Sequence, residues 1–373
     1  MKYYIIAGEA SGDLHGSNLM KGIKLADQQA EFRFFGGDLM EREGGYLVCH
    51  YRKMAFMGFF DVLANIRTIA GNMTLCKKDI KRFCPDVLIL IDYPGFNLKI
   101  AEYAHKNGIK VFYYIAPKVW AWKKSRVKKL KSFVDKLFVI FPFEVDFFRE
   151  HDLQVEYFGN PLKDAIWQYR ESEAGNSKMF AGDSDERPVV ALLAGSRTSE
   201  IKHCLPEMVK AAASFPSCRF IVAGVPSVDS KIYEEILDGT GMMVVMNQTY
   251  SLLDNSNAAI VTSGTATLET ALFNVPQTVI YKVGTLTYHL GRLFVKIKFF
   301  SLVNIIAGRE IVKEILQKDL AMRIREELSI ILSDSGYRDR MLTDYREISE
   351  KLGEHGVSER IAVRMVELLS AEK

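Results

Sequence analysis

The sequence predicts an α/β protein of two domains in tandem, each with a parallel sheet, ending in a helical tail. Three observations carry this. Continuous apolar runs such as VLILI (87–91) and LFVIF (137–141) alternate with helical patterns, as strands covered on both faces of a parallel sheet do. The alternation breaks at ESEAGNSKMFAGDSDERP (171–188), a polar stretch rich in Gly, Ser and Asp, and then restarts. The 373 residues match two domains of ordinary size.

In the first half, strands are expected at 2–8, 31–36, 87–92, 110–115, 136–141 and 155–158. Helices fit between them at about 13–28, 62–83, 97–107, 120–134 and 143–151, giving the βαβα order of a doubly wound sheet. After the break, strands are expected at 189–193, 219–223, 242–245, 258–261 and 278–281, with helices at 199–214, 228–238, 249–256, 265–273 and 285–298. Beyond 310 the chain reads as helix only. The expected domains are therefore 1–170 and 189–340, joined by a connector at 171–188. Helices at 341–373 either cross back to the first domain or serve a homodimer.

Apolar residues make up 48% and charged residues 25%, so the composition is that of an ordinary soluble chain. Net charge is only +3, so any strong positive field must come from local clustering. The five cysteines, at 49, 76, 84, 204 and 218, form no C-x-x-C pair and are odd in number; buried reduced thiols are expected. Glu9 interrupts the first apolar run too early for a secretory leader, and no stretch approaches a membrane span. A cytoplasmic protein is expected.

Open α/β sheets bind ligands at the carboxyl ends of their strands, so two such domains are expected to share a cleft lined by the turns after strands. The clearest turn is VTSGTATLE (261–269). A strand ends at Thr262, then Ser263, Gly264 and Thr265 turn into a helix opening with Ala266 and Thr267. Free N–H groups and the macrodipole there favour a phosphate. Glu269 lies one turn inside, where a carboxylate can accept both hydroxyls of a ribose; a Ser/Thr cap with a surface Glu is the plainer alternative. In LLAGSRTSEI (192–201) a buried strand ends in Gly195-Ser196, with Arg197 at the mouth of the next helix. A guanidinium beside backbone donors suits a diphosphate and stabilises leaving-group charge; alternatively, Arg197 is a surface partner of Glu200.

Two turns of the first domain belong with these. IDYPGFN (91–97) puts Asp92 at a strand end ahead of a Pro-Gly turn, as a candidate general base or an Asx turn. YYIIAGEASGDLHG (3–16) is neither a G-x-G-x-x-G fingerprint nor a P-loop. It brings Glu9, Ser11 and Asp13 to the cleft edge on small residues that admit a bulky ligand, although Asp13 can simply cap a helix. YIAPKVWAWKKSRVKKLKSF (114–133) differs in kind: from Lys118 to Lys131 it has seven Lys or Arg and no acid. Val119, Trp122, Val127, Leu130 and Val134 lie near one helical stripe. Basic charge with interfacial Trp suggests an anionic membrane surface, the alternative being a solvated basic face over core residues. No nucleic-acid motif appears. FMGFFDVLANI (56–66) is unusually greasy, either core or a docking surface for something apolar.

These turns, in this order, resemble the lipid-A-disaccharide synthases, inverting glycosyltransferases of the GT-B class with two facing Rossmann-like domains. The resemblance rests on AGEASGD (7–13), FMGFFDVL (56–63), DYPGFN (92–97), APKVWAW (116–122), FPFE (141–144), GNPL (159–162), GSRTSE (195–200), TSGTATLE (262–269) and SLVNIIAGREIVKEILQ (301–317). It implies transfer of 2,3-diacylglucosamine from UDP-2,3-diacylglucosamine to 2,3-diacylglucosamine 1-phosphate, forming the β-1′,6-linked disaccharide 1-phosphate and UDP. No cofactor or metal is expected, in keeping with the lack of a His/Cys ligand cluster. The resemblance assigns UDP to Gly195, Ser196, Arg197, Ser263, Gly264, Thr265, Ala266, Thr267 and Glu269, and adds Asn304, Gly308 and Glu310 to the donor site. The acceptor and the membrane surface fall to Ser11, Asp13, Met57, Phe59, Phe60, Asn97, Trp120, Trp122, Lys123, Lys124, Arg126 and Lys128. Asp92, Glu9 and Arg197 are the catalytic candidates, with His15 a third choice of base. Attachment to the cytoplasmic face of the inner membrane follows.

The chain departs from the family's pattern at three places. Many members have a second Asp in the third turn, the usual choice of base, where this chain has Gly95. Many have proline where it has Ala194 and Val303. Two other readings stand beside the main one: a different UDP-sugar enzyme, either an epimerase or a soluble-acceptor transferase, and a non-catalytic UDP-sugar-binding protein.

Overall fold

The computed structural model describes residues 1–54, 65–120, 125–176, 179, 185–283 and 298–371. They form two compact units, Met1–Asp164 together with Leu352–Lys373, and Ala165–Lys351. Both carry a parallel sheet flanked by helices, the fold class that the sequence predicts.

The first unit runs β1 (Lys2–Ala7), α1 (Ala10–Ala26), β2 (Glu31–Gly36), α2 (Asp38–Arg42), β3 (Tyr46–His50), α3 (Ile66–Phe83), β4 (Val87–Ile91), α4 (Pro94–Lys106), β5 (Lys110–Tyr114), α5 (Ser125–Phe133), β6 (Lys136–Val139), α6 (Pro142–Arg149) and β7 (Glu156–Tyr157). Its strand order is β3-β2-β1-β4-β5-β6-β7. Every residue of β4 is buried, and the strand divides between two cores. Val87, Ile89 and Ile91 join Tyr3, Ile5 and Ala7 on one face; Leu88 and Leu90 join Tyr4 and Ile6 on the other. That period of two, with both faces covered, is why these strands read as unbroken apolar runs.

α7 (Leu162–Glu171) and α8 (Glu173–Asn176) lead into the second unit. It continues β8 (Val189–Leu193), α9 (Thr198–Ala212), β9 (Arg219–Gly224), α10 (Ser230–Leu237), β10 (Met243–Met246), α11 (Thr249–Asp254), β11 (Ala258–Thr262), α12 (Thr265–Leu272), β12 (Gln277–Tyr281), α13 (Leu302–Ala307), β13 (Glu314–Leu316), α14 (Leu320–Ser333) and α15 (Ser335–Lys351). The order here is β10-β9-β8-β11-β12-β13. In each sheet the order reverses beside the first strand, between β1 and β4 and between β8 and β11. Ala7 pairs Ile91 at the carboxyl end of one such junction, and Leu193 pairs Val261 at the other. These switch points are where doubly wound sheets open a crevice.

The final helix, α16 (Val357–Ser370), belongs to the first unit, whereas α15 stays in the second. α16 lies against α1 so closely that a side chain on Gly22 would meet the Ala362 Cβ at 2.7 Å. Asp164 caps it, accepting from the backbone N–H groups of Gly356, Val357 and Ser358 at 2.6, 3.0 and 2.8 Å.

Several elements depart from the sequence reading. β3 and β13 are edge strands with one protected side or less, so their apolar signal is weak; Tyr46 is exposed and β13 has three residues. β13 also interrupts the segment after 310 that reads as helix. α2 is too short for periodicity to show. α7 and α8 enter the stretch around 171 expected to be connector. The helix expected at 285–298 lies almost wholly outside the described residues. Four cysteines are buried as expected, but Cys84 is exposed, at the end of α3.

Candidate active site

At the first switch point, the chain leaves β4 through two consecutive left-handed residues, Asp92 at φ 42° and Tyr93 at φ 47°. Asp tolerates this conformation; Tyr does so at a cost, and such strain persists only where surroundings enforce it. Here Tyr113 Oη and Asn97 Nδ2 both donate to the Asp92 carbonyl, at 2.6 and 2.8 Å, and Asn97 also donates to the Ile91 carbonyl at 3.2 Å. The Tyr93 hydroxyl donates to the Met54 carbonyl at 2.5 Å. Asn97 is fully buried. Through its Nδ2 it shapes the turn from inside the protein, whereas the acceptor-site expectation places it on a surface. Burial pushes the Asp92 carboxyl above the ordinary range, while Lys118, the backbone of Tyr93 and Arg126 pull it back.

Glu9 stands across the junction, half-buried at the start of α1, and its charge is felt by the Tyr93 hydroxyl. The glycines of the opening stretch serve packing. A side chain on Gly8 would run into the Tyr93 ring at 2.3 Å, and one on Gly16 into Met40 Sδ at 2.6 Å. Ser11 is exposed, but Asp13 is buried and accepts from Gly37, Leu39 and Met40 N–H at 2.7, 3.0 and 3.1 Å. Asp13 therefore caps α2, the alternative left open by the sequence, and is not presented to an acceptor. His15 is buried and pushed down to about 4 by desolvation, so it is neutral near pH 7.

The basic segment divides by face. Val119, Val127 and Leu130 are core residues, while Lys118, Lys128, Lys129 and Lys131 are exposed and Arg126 is half-buried. Trp120 is half-buried with its ring at 90° to Phe143 and its Nε1 donating to Glu144 at 3.1 Å. Glu144 itself is buried and also accepts from Ile140 and Phe141 N–H, at 3.2 and 3.1 Å. Met57, Phe59, Phe60, Trp122, Lys123 and Lys124 lie outside the described residues.

At the second unit's switch point the two turns differ. Gly264, at the start of α12, has no side chain with which to cap it, and among the described residues no other side chain does so. Ser263 donates its hydroxyl to the Phe300 carbonyl at 2.8 Å, and Thr267 folds its own back to the Gly264 carbonyl at 2.8 Å. Thr265 is exposed; Gly264 and Ala266 are half-buried. Glu269 accepts from Tyr250 Oη at 2.8 Å and is pushed up by burial. In the other turn, Glu200 closes on the chain before it. Its Oε1 takes Arg197 Nη1 at 2.7 Å and its Oε2 takes Ser196 N–H at 3.0 Å. Gly195, at φ 113°, makes room for it: a side chain there would meet Glu200 Oε2 at 2.6 Å.

Asn304 departs from the donor-site expectation. It is fully buried; its Oδ1 accepts from Ile311 and Val312 N–H at 2.7 and 3.0 Å, and its Nδ2 donates to the Val312 carbonyl and Glu314 Oε1 at 2.9 and 2.8 Å. It braces the loop that carries Gly308 and Glu310, both exposed, the latter paired with Lys313.

A sequence model of the lipid-A-disaccharide synthetase family matches residues 3–363. The chain belongs to that family. Lipid-A-disaccharide synthases of Geobacter sulfurreducens and Myxococcus xanthus are 36% and 35% identical to it, over 99% and 98% of this chain and 97% of each relative. That of Coxiella burnetii is 34% identical over 96% of both chains. As a member of the lipid-A-disaccharide synthetase family, the protein is a glycosyltransferase of lipid A disaccharide synthesis. Solved structures share its fold at low identity. A UDP-GlcNAc 2-epimerase from Neisseria meningitidis bound to UDP-GlcNAc has TM-score 0.70 and 12% identity, over 98% of this chain and all of that one. The glycotransferase of kitacinnamycin has TM-score 0.63 and 13% identity, over 100% and 98%.

Lys118, Glu144, Tyr250 and Tyr281 were not singled out by the sequence as site residues. Only FPFE signalled Glu144; the tyrosines belong to no motif. Glu144 is open to a direct test. Burial pushes its carboxyl up to about 7, against the pull of Phe141 and Ile140 N–H, Trp120 and Lys118. A carboxyl raised in the folded state contributes stability that is full below its ordinary value of 4.5 and is lost as pH rises through about 7. The stability of the wild type relative to Glu144→Gln should therefore fall across that window by an amount on the order of 3 kcal/mol. Parallel pH profiles in thermal unfolding would exclude this.

Proposed function

We propose that the enzyme moves 2,3-diacylglucosamine from UDP-2,3-diacylglucosamine onto the 6-hydroxyl of 2,3-diacylglucosamine 1-phosphate, inverting the anomeric carbon and releasing UDP. One observation supports this most. In each sheet the polar candidates follow the two strands that flank the switch point: Glu9 and Asp92 after β1 and β4, Arg197 and Ser263–Glu269 after β8 and β11. The second unit offers a helix N-terminus uncapped among the described residues and a guanidinium, which suit a diphosphate, and a half-buried carboxylate, Glu269, which suits a ribose. The first unit offers carboxylates, Glu9 and Asp92, after the strands of its switch point, which suits an acceptor hydroxyl.

Asp92 is our choice of base. Its raised pKa makes it a better proton acceptor, and the rate should rise with pH as it ionises, at a pH above that of an ordinary carboxylate. Glu9 is the second choice. Gly95, where the family resemblance leads one to expect a second Asp, is exposed, has no left-handed φ and has open space at its Cβ position, so an acid fits there. Asn suits the left-handed backbone as well as Asp does, so Asp92→Asn removes charge without altering the turn. It should cost turnover roughly a hundredfold or more while UDP affinity holds, and Gly95→Asp should restore part of the loss. Turnover within a fewfold of wild type in both Asp92→Asn and Glu9→Gln would eliminate both residues.

Acylated substrates reside in membranes. Among the described residues no helix is long and apolar enough to cross one. We therefore assign peripheral attachment, at the cytoplasmic face of the inner membrane, to the exposed cations of α5. Each is worth about 1 kcal/mol near an anionic surface. Changing Lys128, Lys129 and Lys131 to Glu should release the protein from anionic vesicles, as should salt; salt-insensitive binding that survives the triple substitution would oppose this.

A further inference from the structure

We infer that Glu200 is a positioning residue for catalysis: it aims the Arg197 guanidinium at the leaving diphosphate. This rests on the donor reading given above for Arg197. Arg197 precedes α9, is half exposed and has a long, rotatable side chain; Glu200 has 18% of its side chain accessible. The carboxylate is fixed independently of the arginine. Its Oε2 takes the Ser196 N–H, and its stem lies against Gly195, where a Cβ would fall 2.7 Å from its own Cβ. Tyr281, at the end of β12, has its hydroxyl within electrostatic reach of both charges. An arginine held at one Nη by a fixed carboxylate keeps its remaining donors pointing outward in one plane.

The pair is poorly explained by the needs of folding alone. An ion pair with one half-exposed partner contributes little to stability, and the helix cap needs only the Ser196 bond. Nor does a carboxylate beside the turn help a diphosphate to bind, because like charges repel. A group that weakens ground-state attraction yet orients a charge-stabilising donor acts on turnover and not on affinity.

Glu200→Gln separates these roles. The amide oxygen can still accept from Ser196 N–H, while its NH₂ meets Arg197 as donor against donor. UDP release from the two acylated sugars should fall about tenfold in kcat, the donor KM should stay level or drop, and the thermal midpoint should stay within about 2 °C of wild type. In an Arg197→Ala background the same change should alter kcat less than twofold. An unchanged kcat in Glu200→Gln, an equal loss in both backgrounds, or a raised KM with a lowered midpoint would each overturn the inference. Wild-type turnover in Arg197→Ala would instead remove the donor reading on which it rests.

Discussion

A strand that hands its chain to a helix leaves backbone N–H groups with no intrahelical partner, and this protein meets that constraint with carboxylates. Asp13 takes three N–H groups before and within α2, and Asp164 takes three at the start of α16. Glu144 takes two before α6, Glu200 one before α9, and Glu314 takes those of Phe300 and Ser301 before α13. The loops at the strand ends are thereby fixed before any ligand arrives. Several of these acids have a second partner: Trp120 on Glu144, Arg197 on Glu200, Asn304 on Glu314. The backbone bond holds the acid, and the acid holds a further side chain: Trp120 and Arg197 among the site candidates, and Asn304 as the brace of a loop.

Against that background the remaining acids stand out. Asp92 lies half-buried where the backbone is strained, with Lys118 and Arg126 within electrostatic reach. Glu269 sits inside a helix and meets a tyrosine hydroxyl. Neither is explained by capping a helix. Opposing influences act on both, desolvation favouring the neutral form and a donor or cation favouring the charged one, and this is the environment in which groups that move protons or bind polar ligands are found.

Much of this was legible in the sequence. The central strands were, because double-sided burial writes an unbroken apolar run. The polar turns were, because small residues and acids gather after those runs. Edge strands β3 and β13 were not, since one neighbour and partial exposure leave no apolar pattern. The direction a polar side chain faces was not legible either. Asp13, Asn97 and Asn304 have the right residue types in the right turns, yet all three point into the protein and bond its backbone. Spacing along the chain cannot separate an amide that braces a loop from one that meets a ligand. The Arg197–Glu200 pair was visible as an i, i+3 pairing, but its bond to Ser196 depends on the left-handed Gly195 turn, which only the fold reveals.

Transfer between two substrates is tested most directly by supplying the purified protein with UDP-2,3-diacylglucosamine, with and without 2,3-diacylglucosamine 1-phosphate, and following UDP and the lipid products by mass spectrometry. UDP and disaccharide 1-phosphate should appear in equal amounts, and neither without the acceptor. UDP release that ignores the acceptor, a sugar nucleotide altered without transfer, or nucleotide binding with no turnover would contradict such a transfer.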